Sequence, residues 1–275
     1  MFAVLAATLI SKISWFSADC GLLICGDAPP TGCPELVVSG YQDTAVDRLR
    51  KSSNLLKCLP EGLTSRLVET GARGQAKADS VLFSAGEPGD GLYFIEAGLL
   101  KVVIVSPGGE ESVVSLLGPG EFAGELAMID GLPRSASVVV LRDCSYRFIS
   151  KESFQKFNAT HPEFYRELAR VLSMRLREAD QALAAATFLS GKERLARALL
   201  DLAGYVGKPS DSGSVMFTFK VSNGDLAAMA GMARENVSRV LREWRDRKLV
   251  SQSAHYHCIH DIAALEREVE LTTQK

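Results

Sequence analysis

The spacing of apolar residues changes period along the chain, and each change marks an element. Between Tyr41 and Gly71 the leucines Leu55, Leu56, Leu59, Leu63 and Leu67 recur at three- and four-residue intervals, which predicts helix. From Ser80 to Ser150 the period falls to two, interrupted by the turn-forming runs GEPGD (86–90), SPGGE (106–110) and GPGEF (118–122). Many short strands punctuated by glycine predict an antiparallel roll or barrel. In that reading Val81, Phe83, Leu92, Phe94, Val102 and Ile104 turn inward. Residues 162–187 return to a helical period, with Leu168, Leu172, Leu176, Ala179, Leu183 and Ala186 forming a nearly heptad seam. Such a stripe either pairs with a second copy of the chain or packs on its own domain.

Beyond this seam, Phe188 to Gly204 reads as a further amphipathic helix with Gly191 as a hinge, and 209–214 as a loop. Val215 to Val221 alternates as a strand, with Phe217 and Phe219 on one side. Ser222 and Asp225 make a capping-box start, followed by Leu226, Ala227 and Ala230, a turn at Gly231, and a second helix from about Ala233 to Lys248. This is helix-turn-helix spacing. In the second helix Val237, Val240, Leu241 and Trp244 share a buried face, which leaves Arg234, Glu235, Ser238 and Arg239 on the opposite side. These are base-reading chemistries: Arg is bidentate to guanine O6 and N7, and Glu accepts from cytosine N4. Ala233, at the helix start, offers no capping oxygen.

Ser251 to Asp261 fits a wing and holds His255, His257, Cys258 and His260. Strand alternation places the first two on one face and the last two on the other, so the four do not converge on a metal. Asp261 to Glu270 reads as a short terminal helix.

Composition narrows the class. A chain of 275 residues, 47% hydrophobic, supports two ordinary domains. A formal net charge of -2 argues against a protein that coats nucleic acid non-specifically, yet the segment Ala233–Lys248 carries six Lys or Arg against three Asp or Glu. No apolar run is long enough to span a membrane. The apolar stretch Phe2 to Ile10 has no Lys or Arg before it and no small-residue cleavage site after it, which argues against export; a start codon assigned too far upstream is the alternative. No Ser-His-Asp, Walker or metal-hydrolase arrangement is present, so an enzyme is not expected.

The chemistry concentrates in GELAMIDGLPRSAS, residues 124–137. Gly124 permits close backbone approach, and the short helical turn after it presents free N–H groups. Arg134 offers a planar fork of donors for a phosphate, and the acceptor-only Glu125 suits a ribose hydroxyl. Ser135 and the N–H of Ala136 add donors.

This run resembles the phosphate-binding cassette of cyclic-nucleotide-binding domains, and ARENVSRVL (233–241) resembles the recognition helix of the cyclic AMP receptor and fumarate-nitrate regulator (Crp-Fnr) family. The resemblance implies an α+β chain: an antiparallel β-roll sensor (41–161) after an N-terminal extension (1–40), a dimerisation helix (162–187), and a winged helix-turn-helix domain (188–275). It implies a cytoplasmic homodimer with double-stranded DNA and RNA polymerase as partners, Arg234, Glu235, Ser238 and Arg239 reading a palindromic TGTGA-like site, and no metal. The implied effector is cyclic AMP, with cyclic GMP possible, held by Gly124, Glu125, Leu126, Arg134, Ser135, Ala136 and Asp180.

The sequence departs from the family at the base. Ala179 and Asp180 stand where the best-known member of the family has Thr and Ser, and a carboxylate there accepts from the adenine amino group or from guanine N1 and N2. A local pair between Asp180 and Arg177 is the alternative. Cys20, Cys25, Cys33 and Cys144 are similar in placement to the iron-sulfur ligands of the fumarate-nitrate branch, but the C-x4-C-x7-C spacing differs. A redox sensor and a ligand-independent regulator are the competing readings.

Overall fold

The computed structural model describes residues 61–206 and 214–270, all within one unit. The N-terminal extension with Cys20, Cys25 and Cys33, the predicted helix before residue 61 and most of the 209–214 loop lie outside the described residues.

A first helix, α1 (Glu61–Glu69), leads into strands β1 (Ala72–Ala76), β2 (Val81–Phe83), β3 (Gly91–Val105), β4 (Glu111–Leu117) and β5 (Phe122–Ala123). A one-turn helix, α2 (Glu125–Ile129), precedes the long strand β6 (Ser137–Ser150). The antiparallel sheet runs β1-β6-β3-β4, with β2 on β6 and β5 on β3. All three glycine-rich turns fall between strands as their residue chemistry requires.

Strand phase is where the structure departs from simple alternation. Phe83 and Leu92 are buried, but Val81 is 57% and Ile104 47% exposed, while Ile95, Leu99, Leu100 and Val103 fill the core. The pairing of β3 with β6 shifts register at Ile95/Ala97, Ala97/Leu99 and Leu99/Leu100, and that with β4 shifts at Val102/Val103. The extra residue lies in β3 at Ile95/Ala97 and in β6 or β4 at the other three, and the strand that carries it has the facing of its following side chains inverted, so β3 changes phase between Phe94 and Val102. A further shift between Val81 and Phe83 has the same effect in β2.

Helix α3 (Lys151–Thr160) and the long helix α4 (Phe164–Phe188) follow the roll. Leu168 is 5% exposed and packs with Leu92, Phe122, Phe154 and Phe164, so the first residue of the predicted seam belongs to the sensor's own core. The rest of the seam is more open: Leu176 is 64% and Leu183 68% exposed, with Ala179 and Ala186 also exposed.

Phe188 ends α4, Leu189 is extended, and α5 (Gly191–Val206) starts afresh, so the predicted helix from Phe188 is two helices with a break at the hinge. Only Val215–Met216 of the predicted strand pairs, as β7; Phe217 and Phe219 are nonetheless buried and stacked, ring centroids 5.9 Å apart. Helices α6 (Asn223–Ala230) and α7 (Arg234–Asp246), the hairpin β8 (Val250–Ser253) and β9 (Tyr256–Ile259), and α8 (Ile262–Glu270) complete a winged helix-turn-helix. Its core of Leu195, Leu199, Phe217, Leu226, Val237, Trp244 and Ile259 is continuous with Leu99, Leu116 and Leu141 of the roll. At that junction Lys101 of β3 pairs with Asp225 at 2.6 Å, both side chains largely buried, and Tyr205 of α5 donates to Leu116 O at 3.1 Å.

Candidate functional site

The cassette is built from a left-handed turn. Gly124 has φ 87°, and a Cβ there would collide with the Arg134 guanidinium, so glycine is required on both counts. The turn delivers Glu125, only 2% exposed, and Arg134, 4% exposed, to the same place. Arg134 Nη1 donates to Gly124 O at 2.9 Å, and Nη2 donates to Gly91 O at 2.7 Å and to Asp90 Oδ1 at 2.8 Å. Its guanidinium also lies 4.3 Å from the centre of the Phe83 ring. The arginine thus locks the cassette to the start of β3, and among the described residues no acceptor meets its Nε–H or its second Nη1–H.

Glu125 is addressed from another element. Arg175, on α4, donates from Nη1 to Glu125 Oε1 at 2.5 Å and from Nη2 to Phe122 O at 2.5 Å. Glu125 Oε2 is buried without a hydrogen-bond partner. An ionised oxygen in that state is costly and calls for a donor. Leu126 is 41% exposed, Ser135 exposed and Ala136 buried, the last two directly following Arg134.

Asp180 lies on α4, exposed and beyond Arg175 in the same helix. Among the described residues it makes no ion pair with Arg177, and no bond joins it to the cassette. Asp90 and Arg175 are the site residues that sequence reasoning misses. Asp90 is hidden in a turn motif; Arg175 stands out only as one arginine beside an amphipathic stripe.

A second group of carboxylates lies behind the cassette. Glu121, 3% exposed, accepts the Gly118 N–H at 2.6 Å. Burial pushes its pKa up to about 7, against the pull of that hydrogen bond and of Arg175, with Glu178 and Glu125 adding to the rise. Asp201 on α5 is pushed up to about 6 by burial, with Glu178 reinforcing and Arg197 opposing.

The DNA-reading domain carries the predicted capping box: Ser222 Oγ accepts from Asp225 N at 3.0 Å, and Asp225 Oδ2 accepts from Ser222 N at 3.0 Å. Gly231 turns the chain at φ 58°, and Ala233 caps α7 without a side-chain bond. Val237, Val240, Leu241 and Trp244 are buried as spaced, and Arg234, Glu235, Ser238 and Arg239 are exposed together on the other face. Their engagement differs. Ser238 Oγ donates to Arg234 O at 3.1 Å and accepts from Asn223 Nδ2 at 3.0 Å, and Asn223 Oδ1 accepts from Gln252 Nε2 of the wing at 3.1 Å. Asn223, at the start of α6, therefore ties the wing to the reading helix, which it meets at Ser238. Arg239 donates to Asn236 Oδ1 at 3.2 Å.

The wing turns through Ala254 and His255, both at positive φ. His257 is 1% exposed with Nε2 3.0 Å from Val221 O, and burial lowers its pKa. Cys258 Sγ lies 3.7 Å from His260 Nδ1 on the other face, as alternation predicts. Among the described residues no cluster of His, Cys, Asp and Glu could hold a metal ion, and no helix is long and apolar enough to cross a membrane.

Comparison with known proteins matches two separate parts of the chain. Residues 73–161 match the cyclic nucleotide-binding domain and residues 193–268 the Crp-like helix-turn-helix domain. The chain is 30% identical over 186 residues, 68% of its length and 83% of the relative's, to the CRP-like cAMP-activated global transcriptional regulator of Mycobacterium tuberculosis (strain ATCC 25618 / H37Rv). It is 36% identical over 160 residues, 58% of its length and 70% of the relative's, to the cyclic AMP receptor protein of Thermus thermophilus. Among solved structures, a CRP/FNR-family transcriptional regulator from Thermus thermophilus superposes with a TM-score of 0.62 at 26% identity, covering 72% of this chain and 98% of that one.

Proposed function

Because this chain belongs to the Crp-Fnr family of DNA-binding transcription regulators, with a cyclic nucleotide-binding domain ahead of a Crp-like helix-turn-helix, we propose that it is a homodimer whose DNA affinity is set by a cyclic nucleotide in the cassette. Cyclic AMP is the first candidate, since the relatives in M. tuberculosis and T. thermophilus are named for it; cyclic GMP is the second, because Asp180 offers only acceptors to the base. The observation that carries this reading is the buried Glu125: Oε1 is held by Arg175, and Oε2 has no protein donor. A ribose hydroxyl supplies that donor, and the remaining Nε–H and Nη1–H of Arg134, with Ser135 and the Ala136 N–H, answer the cyclic phosphate.

The exposed stripe of Leu176, Ala179, Leu183 and Ala186 suits pairing with the same helix of a second copy. Two reading helices related by a two-fold axis fit a palindrome of TGTGA-like half-sites spaced by about 34 Å, one DNA turn, with Arg234, Glu235 and Arg239 at base edges and RNA polymerase as the partner at promoters. Ligand control then requires only that the nucleotide bind the DNA-competent arrangement more tightly than the other. Arg175 is the residue through which α4 senses the cassette, since it holds Glu125 and Phe122 O at once.

Calorimetric titration of the nucleotide-free protein with cyclic AMP and then cyclic GMP tests the reading. Micromolar binding of one of them is expected, falling at least about tenfold in Glu125→Gln, where half of the carboxylate becomes a donor. Absence of heat with both nucleotides would sink the proposal and favour ligand-independent or redox control.

A further inference from the structure

The first turn of α5 carries three consecutive charged residues, Lys192, Glu193 and Arg194, each bonded to a different part of the molecule. Lys192 Nζ lies 2.5 Å from Glu243 Oε1 on α7 and 3.1 Å from Glu268 Oε2 on α8. Glu193 caps its own helix, accepting the Ser190 N–H at 2.5 Å. Arg194 reaches furthest. Its Nη1 donates to Leu189 O at 2.7 Å, its Nε to Ala230 O at 2.7 Å and its Nη2 to Gly231 O at 3.1 Å.

Those three carbonyls belong to two places. Leu189 is the extended residue that ends α4, its own N–H bonded to Ala185 O of that helix. Ala230 and Gly231 form the C-terminus of α6 and the turn into the reading helix. Carbonyls at a helix C-terminus lack partners within the helix and carry the negative end of its dipole, which suits a guanidinium. A planar fork satisfies both places in one fixed geometry, something a single ammonium group cannot reproduce. The reading helix has no side-chain cap to fix its start. Ala233 supplies none, and only Met232 and Ala233 separate the Gly231 carbonyl from Arg234 and Glu235.

We infer that Arg194 is the positioning residue that fixes the recognition helix relative to the long helix, by holding the end of α4 and the helix-turn-helix turn in one guanidinium. It acts through the turn and touches no base. This goes beyond the proposed reading of DNA by α7 and rests on it only for the DNA arm of the test.

The experiment compares full-length wild type with Arg194→Lys, which keeps charge and stem, and with Arg194→Gln. Hydrogen exchange, measured without DNA or nucleotide, should rise in both variants over 230–236 while α8 and the roll keep wild-type protection. Unchanged exchange over 230–236 overturns the proposal, as does a rise spread equally over α5 and α8, which marks general loss of structure. Binding is then measured at fixed salt to a duplex with two TGTGA half-sites and to a scrambled duplex. The ratio of the two affinities should fall about tenfold, with affinity for the scrambled duplex kept within about twofold, because the phosphate-facing charge is untouched. Equal loss on both duplexes overturns a positioning role. A wild type that does not distinguish the duplexes counts against the half-site assignment instead, and the exchange result then decides the role of Arg194.

Discussion

The two working regions of this protein handle charge in opposite ways. In the cassette, Arg134 and Glu125 are almost wholly buried, and each is bonded to residues far away in sequence: Asp90 and Gly91 for the arginine, Arg175 for the glutamate. On α7, Arg234, Glu235 and Arg239 are exposed, and what holds them is the buried seam of Val237, Val240, Leu241 and Trp244 beneath. A buried charge is fixed by its partners and cannot be altered without disturbing the fold, whereas an exposed one is positioned by the backbone and is energetically separable from it. The contrast predicts that binding and stability are coupled in the sensor and separable in the reader.

The largest effect expected from this contrast is at Arg134. Arg134→Ala leaves Gly91 O and Gly124 O without their donor and Asp90 without its pair, so it should cost about 3 kcal/mol of stability and abolish nucleotide binding together. Urea denaturation and calorimetry on the same preparation check this; lost binding with unchanged stability would break the coupling.

Next comes the pH response of Glu121. Its carboxyl has an ordinary value near 4.5 and is pushed up to about 7 in the folded protein by burial. The folded state thus holds this proton more tightly than the unfolded chain, so the contribution is fully present below about pH 4.5 and is lost as pH rises through about 7. The span corresponds to roughly 3 kcal/mol at most. Glu121→Gln keeps an oxygen for the Gly118 N–H and should flatten the fall in denaturation midpoint between about pH 5 and about pH 8. An unaltered slope would remove Glu121 as its source.

The smallest effect should come from the reading face. Glu235→Ala should relax discrimination at one base pair of the half-site by about 2 kcal/mol, with the denaturation midpoint unmoved. Binding to a panel of single-base variants measures it. A drop in stability of similar size would show that the reader is as interlocked as the sensor.

Much of the site is legible in the sequence because its signals are local. Gly124 to Ser137 is a contiguous run, and the capping box, the Gly231 turn and the buried face of α7 all depend on residues within a few positions of one another. Turn chemistry locates the strand boundaries for the same reason. Alternation fails at Val81 and Ile104 because register shifts are settled by the neighbouring strand. The seam reading fails at Leu168 because only the roll packed beneath it distinguishes a core leucine from an open one.

By itself the sequence determined the kind of protein this is: a β-roll, a long helix and a helix-turn-helix through short-range spacing, and a nucleotide-type cassette through the resemblance of one contiguous run, 124–137. The tertiary structure alone decided what the charged groups do. Asp90 meets Arg134 across 44 positions, Arg175 meets Glu125 across 50, Arg194 reaches Ala230 across 36, and Lys101 reaches Asp225 across 124. The physical reason is range. Helix caps and turns satisfy the backbone with neighbouring residues, while a buried charge must be met by whichever partner the packed chain brings within a few ångströms.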